Sequence, residues 1–447
     1  MTEVVAFVDG GLGNSSYLVD VGDGRALAVD PSRDSRPYLA AAEKRGLTIS
    51  HTVETHLHAD FVTGSRELAA HGAAVLASTA AAIEWPHRGV GHGDEVDLGG
   101  LTLRALATPG HTPEHLAFLL LDAERPIGLF SGGSLLVGSV ARTDLIDPDE
   151  TEGLARALWR SINEQLLLLP DDLVVYPTHG AGSFCSAPAG GERTTTIGRE
   201  RTTNPLLAAG SEDAFVARLL GGLGTYPPYF LELREVNRRG PHVYAGFPDL
   251  AQLDGSEVCR LVDAGAAVVD VRSFGRFGAG HIPGSLSIEL RPQFASWLGW
   301  LVGRDRPVVF VTDADTDRRE LVRQCLTVGY EHLAGELDGG MGAWTGPIGH
   351  VGLVPVGQVV GPVLDIRQDA EYEAGHLPGA AHVELGALTD TESRVESGPM
   401  TVMCGHGERA MTAASLLAAG GRPHLAVAVG GPTDWATVTG RTLATGR

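Results

Sequence analysis

Cys404 lies in the segment PMTVMCGHGERAMTAASLLAAG, where an apolar run gives way to a glycine-containing loop and then to a helical pattern. The chemistry open to a sulfur at such a junction is nucleophilic. Backbone N–H groups of the loop and of the first helical turn converge there, and the helix dipole adds partial positive charge. That setting favours thiolate over thiol, and it suits a persulfide, whose outer sulfur is anionic. Gly405 and Gly407 allow the backbone angles of a tight loop, with His406 and Glu408 completing it. Arg409 brings a fixed positive charge with forked donors for an anionic sulfur donor.

A second set of chemistry-bearing residues precedes it. THLHADFVTG carries His56, His58 and Asp60, TPGHTPEH carries His111 and His115, and YPTHGAGS carries His179. Each group follows a strand-like run. Histidines on loops at several strand ends, gathered at one sheet edge, are what a protein metal site requires.

The elements that must position these residues exceed one hydrophobic core, because the chain has 447 residues. Short runs such as VVAFVDG, SYLVDVG and TLRALATPG, broken by Gly, Asp and Pro, alternate with helical patterns over residues 1–240. This mixture predicts two sheets between helices. A boundary is expected near Pro241. Beyond it the chain repeats itself: VVDVRSFGRFGAGHIPGS is matched by VLDIRQDAEYEAGHLPGA, and 95 residues separate Asp270 from Asp365. Each copy is the size of a small doubly wound α/β unit. The predicted units are 1–240, 241–350 and 351–447. In the first copy the loop reads TDADTDR, with no thiol and three aspartates that would repel a persulfide or thiosulfate.

The net charge of −21 argues against nucleic acid or anionic membrane as a partner. No run approaches the length of a membrane span, and the first residues lack a basic signal-peptide start. The four cysteines are widely spaced and form no CxxC pair, which fits a reduced, cytoplasmic protein.

The Cys-x4-Arg loop, with DIRQDAEYEAGHLPGA ahead of it, resembles the rhodanese family over roughly residues 354–447. The resemblance implies that Cys404 accepts a sulfane sulfur and passes it on. It makes residues 242–350 a cysteine-less rhodanese-like copy, and Asp365, Arg367 and His376 scaffold residues. The order HxHxD, TPGHT, SGxSLLVG and PxHGAGS resembles the metallo-β-lactamase fold, and TTIGRERTTNPLL resembles its persulfide dioxygenase branch. That branch implies one iron on two histidines and an aspartate, at positions held here by His56, His111 and Gly133. Gly133 removes the carboxylate, and Phe61 stands where relatives carry another histidine.

The expected architecture is an αββα metallo-β-lactamase sandwich followed by two doubly wound parallel-sheet rhodanese domains. The expected function is sulfur transfer on Cys404 and Arg409, coupled to a persulfide dioxygenase-like domain with an incomplete iron site. His58 is expected to complete a His56, His58, His111 site for one iron or zinc ion. Arg142 and Arg201 are expected to bind the substrate. The implied partners are a low-molecular-weight thiol persulfide, thiosulfate or sulfite, and the chain is expected to form a homo-oligomer. Two other readings stay open: a persulfide-binding or sensing scaffold with an inert first domain, and a zinc-dependent hydrolase.

Overall fold

The computed structural model describes residues 2–185, 191–388 and 398–446. Two compact units divide the chain. One comprises Met1–Phe247 with Cys325–Gly329, the other Pro248–Gln324 with Tyr330–Arg447. Residues past the expected exit at Pro241 stay with the first unit: Arg66 bonds the Pro241 carbonyl at 2.5 Å, and Glu67 accepts the Tyr244 N–H at 3.0 Å.

The first unit is a sandwich. One sheet runs in order through β1 (Val4–Asp9), β2 (Asn14–Gly22), β3 (Arg25–Val29), β4 (Thr48–Val53), β5 (Ala74–Ser78) and β6 (Arg88–Val90). The other contains β7 (Glu95–Asp97), β8 (Thr102–Ala107), β9 (Leu116–Asp122), β10 (Arg125–Gly132), β11 (Val174–Pro177) and β12 (Thr195–Thr196), in the spatial order 12-11-10-9-8-7. Tyr17, Val19, Leu27, Val29 and Val53 from the first sheet meet Leu103, Leu116, Phe118, Leu120 and Phe130 from the second. Each such buried side chain contributes roughly 1.5–3 kcal/mol.

Helices cover the outer faces. Helix Thr151–Glu164 turns Leu154, Ala155, Leu158 and Ile162 inward, the spacing of one helical face. It also fixes the TPGH loop. Gly110 lies so close to it that a Cβ there would sit 2.3 Å from the Leu158 Cβ, and Ser161 Oγ donates to the Pro109 carbonyl at 2.8 Å.

The second unit holds two five-stranded sheets whose pairings are all parallel. The first is built from β13 (Gln252–Leu253), β14 (Ala267–Asp270), β15 (Leu286–Ser287), β16 (Val308–Val311) and β17 (Leu333–Leu337), ordered 13-17-16-14-15. The second is built from β18 (Gly352–Pro355), β19 (Val363–Asp365), β20 (Ala381–His382), β21 (Met400–Met403) and β22 (Leu425–Val429), ordered 18-22-21-19-20. The two orders are the same permutation, so the sequence repeat is a repeat of topology. The Asp-x-Arg motifs pin each copy in the same way. Arg272 forks onto Asp270 and caps the Gly280 carbonyl, and Arg367 forks onto Asp365 and caps the Gly375 carbonyl. Among the described residues, no helix is long and apolar enough to cross a membrane.

Candidate metal and cysteine sites

In the first unit the chemistry collects where strands end. Asp30 follows β3, Glu54 to Asp60 follow β4, His111 follows β8, Gly133 follows β10 and His179 follows β11. Asn14, at the start of β2, bridges to His179 and ties the two sheets together at this edge. The helix Phe230–Arg239 clamps the HxHxD loop: Asn237 Nδ2 donates to the carbonyls of His58 and Phe61 at 2.8 and 2.9 Å.

His56, His111 and His179 are all buried and offer donor nitrogens within 4.8 Å of one another. His56 Nε2 and His179 Nε2 are 3.4 Å apart. Burial pushes the His56 ring well below the ordinary histidine pKa, with neighbouring rings adding to the effect. Burial likewise lowers His111 to about 3. Both rings are therefore neutral at physiological pH, the state in which imidazole serves as a ligand.

The expected His56, His58, His111 grouping is corrected here. His58 turns toward carboxylates, with Nε2 3.1 Å from Glu54 Oε2 and 3.3 Å from Asp30 Oδ1. Burial disfavours charge on this ring, but Asp30 and Glu54 overcome it and raise the pKa to about 10. Phe61 stacks on the ring at 4.2 Å. His58 thus lies between the Asp30 and Glu54 side chains, and His179 is the third histidine grouped with His56 and His111. His115 is also occupied elsewhere: its Nε2 accepts the Gly133 N–H at 2.9 Å and its Nδ1 meets Thr108 Oγ1 at 2.8 Å.

The two arginines expected at the substrate both have partners within the fold. Arg142 is buried, forks onto Asp144, and donates to the carbonyls of Phe184 and Gly224. Its own carbonyl accepts from His111 Nδ1 at 2.6 Å, so it positions that ring. Arg201 lies on helix Ile197–Thr203 and pairs with Asp171 and the Leu167 carbonyl. Both guanidinium groups are thus held by carboxylates and carbonyls of the fold. Cys185 is buried, and burial pushes its thiol well above the ordinary value, so it is inert.

Cys404 directly follows β21, and helix Glu408–Ala419 begins four residues later. The thiol is 1% exposed, and its Sγ accepts the Gly407 N–H at 3.1 Å. Gly407 has φ +132°, a left-handed conformation that favours glycine. Gly405 and Glu408 are half-buried, and His406 is exposed at the mouth of the loop. Arg409 forms a two-pronged pair with Glu371 at 2.7 and 2.8 Å. Burial opposes charge on Glu371, but Arg409 outweighs it and holds that carboxyl below its usual range. Phe274 of the first copy backs the loop, since a Cβ on Gly407 would lie 2.9 Å from its ring.

Sequence reasoning overlooked Asp30, Asn237 and Glu371. Asp30 had a signal, an Asp-Pro at a strand end. Asn237 and Glu371 had none, because their partners are distant in the chain. His179 carried the same signal as His111, a histidine just after a buried strand.

These two sites and the sheets that carry them define the class. A metallo-beta-lactamase superfamily profile matches residues 9–179, and a rhodanese-like domain profile matches 255–347 and 355–437. The chain belongs to the metallo-beta-lactamase superfamily and carries two rhodanese-like domains. Over 218 residues it is 32% identical to the mitochondrial persulfide dioxygenase ETHE1 of Homo sapiens, covering 48% of this chain and 78% of that protein. Over 225 residues it is 30% identical to a hydroxyacylglutathione hydrolase of Rhizobium meliloti, covering 44% and 82%. The crystal structure of a metallo-beta-lactamase from Staphylococcus aureus is 30% identical with a TM-score of 0.67, covering 75% of this chain and 98% of that one.

Proposed function

We propose that this chain acts in sulfide and persulfide metabolism, carrying sulfane sulfur on Cys404. The observation that carries the reading is the Cys404 sulfur, buried at a strand-to-helix junction and accepting a backbone N–H from its own loop. With thiosulfate as donor, the Cys404 thiolate attacks the outer sulfur. The S–S bond of thiosulfate breaks, a Cys404 persulfide forms, and sulfite leaves with the electron pair. A thiol or cyanide then attacks the outer sulfur and Cys404 departs as thiolate. Backbone N–H groups at the helix start stabilise the anionic sulfur in both steps. Arg409, fixed by Glu371, keeps a positive charge beside the loop.

The likeness to a persulfide dioxygenase supports a first unit that takes a low-molecular-weight thiol persulfide. A metal bound at the histidine edge would supply the Lewis acidity or redox capacity for its conversion. Oxidation would turn persulfide, dioxygen and water into thiol, sulfite and protons. Sulfite is also the leaving group at Cys404, so the two sites share a small molecule, and covalent linkage raises its local concentration. The buried neutral imidazoles and the likeness to a hydroxyacylglutathione hydrolase favour a second reading for this unit, zinc-assisted thioester hydrolysis.

Cys404→Ser should reduce thiosulfate:cyanide sulfur transfer to background, and retained transfer would sink the assignment. Glutathione persulfide and a glutathione thioester, offered separately to the intact chain, divide the readings of the first unit. Oxygen uptake with the persulfide supports oxidation, thiol release from the thioester supports hydrolysis, and neither result leaves the unit a binding scaffold.

A further inference from the structure

We infer that the first unit holds a divalent ion of the zinc type on three imidazoles, with His179 replacing the carboxylate ligand that Gly133 does not supply. The inference rests on the reading of the first unit as a metal-bearing domain and specifies its ligands.

Three observations carry it. The first is space. A Cβ on Gly133 would lie 2.6 Å from His111 Cδ2 and 2.9 Å from its Cγ, so the His111 ring occupies the path of any side chain there. Gly132 is closed as well, since its Cβ would lie 2.4 Å from His115 Nε2. A side chain at either position would require the His111 or His115 ring to move.

The second is proton placement. Thr55 has one hydroxyl proton and donates it to Asp30 Oδ2 at 2.7 Å. Its oxygen therefore accepts from His56 Nδ1 at 2.8 Å. His111 Nδ1 faces the Arg142 carbonyl at 2.6 Å, which only accepts. His179 Nδ1 faces Asn14 Oδ1 at 3.2 Å and Asp60 Oδ2 at 3.4 Å. Each ring thus has an acceptor group on its Nδ1 side, which leaves Nε2 of His56 and of His179 to face the other. An acceptor behind each imidazole is the arrangement that orients histidine toward a metal.

The third is convergence without a partner. His56 Nε2 and His179 Nε2 face each other at 3.4 Å, and His111 completes the cluster within 4.8 Å. Nitrogens about 2.0–2.1 Å from a shared tetrahedral zinc stand roughly 3.3 Å apart, which matches. Beside them the carboxylate of Asp60 and the hydroxyl of Thr112 are buried without a well-formed hydrogen bond. Three neutral ligands leave the full charge of a divalent ion, one unit more than a site with a carboxylate. Three histidines with an open fourth position is a known catalytic zinc arrangement, whereas non-haem iron oxygenases use a carboxylate in the triad.

Cobalt(II) titration of the metal-stripped full chain tests this. The expected result is one equivalent bound, with the visible absorption of a four-coordinate ion. His179→Ala should lose stoichiometric binding. His179→Cys should regain it and add a near-ultraviolet sulfur-to-cobalt charge-transfer band, which a merely structural residue would not produce. Failure of the wild type to bind, or an unchanged cobalt spectrum in His179→Ala, would overturn the inference. Sulfur transfer by Cys404 and persulfide-dependent oxygen uptake are read separately. Metal binding without either activity would count against the functional reading alone.

Discussion

The two rhodanese-like copies of the second unit share a strand order and an Asp-x-Arg anchor, yet their loops have opposite contents. In the second copy Cys404 accepts the Gly407 N–H, and the fourth residue of β22 is Ala428. In the first copy Thr312 takes the cysteine position. It donates to Glu336, the fourth residue of β17, and accepts from Arg318, which also grips Glu336 and the carbonyls of Asp313 and Thr316. The cysteine-less loop is thus held by its own ion pair, with Arg318 engaged by Glu336 and by loop carbonyls. At the helix start of the first copy Asp317 accepts the N–H groups of Arg319 and Glu320, whereas no side chain caps the helix that follows Gly407.

The comparison can be broken at several points. The largest effect is expected from Cys404→Ser, which removes the only thiol in either loop and should end sulfur transfer. Gly407→Ala comes next. It places a Cβ at φ +132° and 2.9 Å from the Phe274 ring, which should lower kcat/KM on the order of 10- to 100-fold through roughly 1–3 kcal/mol of strain. Steady-state kinetics on thiosulfate would read it, and a wild-type rate would show that the loop tolerates distortion.

Acid should act on the Glu371–Arg409 pair. The Glu371 carboxyl is held below its ordinary value of 4.5, so the pair's stabilisation is present above that pH and fades as pH falls through the lowered value. The Glu371 side chain is 40% exposed, which limits the contribution to about 1 kcal/mol or less. Glu371→Gln should therefore flatten the acid limb of a thermal-unfolding profile. An unchanged limb would assign that acid sensitivity elsewhere. The smallest effect is expected from Thr312→Cys. A thiol alone should not awaken the first copy, because Arg318 and Glu336 still fill the loop. Measurable transfer by Thr312→Cys in a Cys404→Ser background would show that the missing sulfur was the whole difference.

Much of this was legible in the residues. The repeat at Asp270 and Asp365, the strand-loop-helix around Cys404 and the HxHxD and TPGH loops are local patterns, and local patterns survive without coordinates. The Gly133 departure was legible too, but its consequence was not. Choosing between His58 and His179 needed the side-chain environment, because both follow buried strands and both are histidines.

By itself, then, the sequence determined the class of fold, the repeat, the strand-to-helix loop that carries Cys404 and the edge where histidines gather. These follow from spacing and residue chemistry within short segments. Only the tertiary structure decided that Asp30 and Glu54 claim His58, that Arg142 and Arg201 are held by carboxylates of the fold, and that Glu371 holds Arg409. Each of these is a competition for a charged or polar partner. Its outcome depends on which groups burial brings within hydrogen-bonding distance, and sequence separation does not encode that.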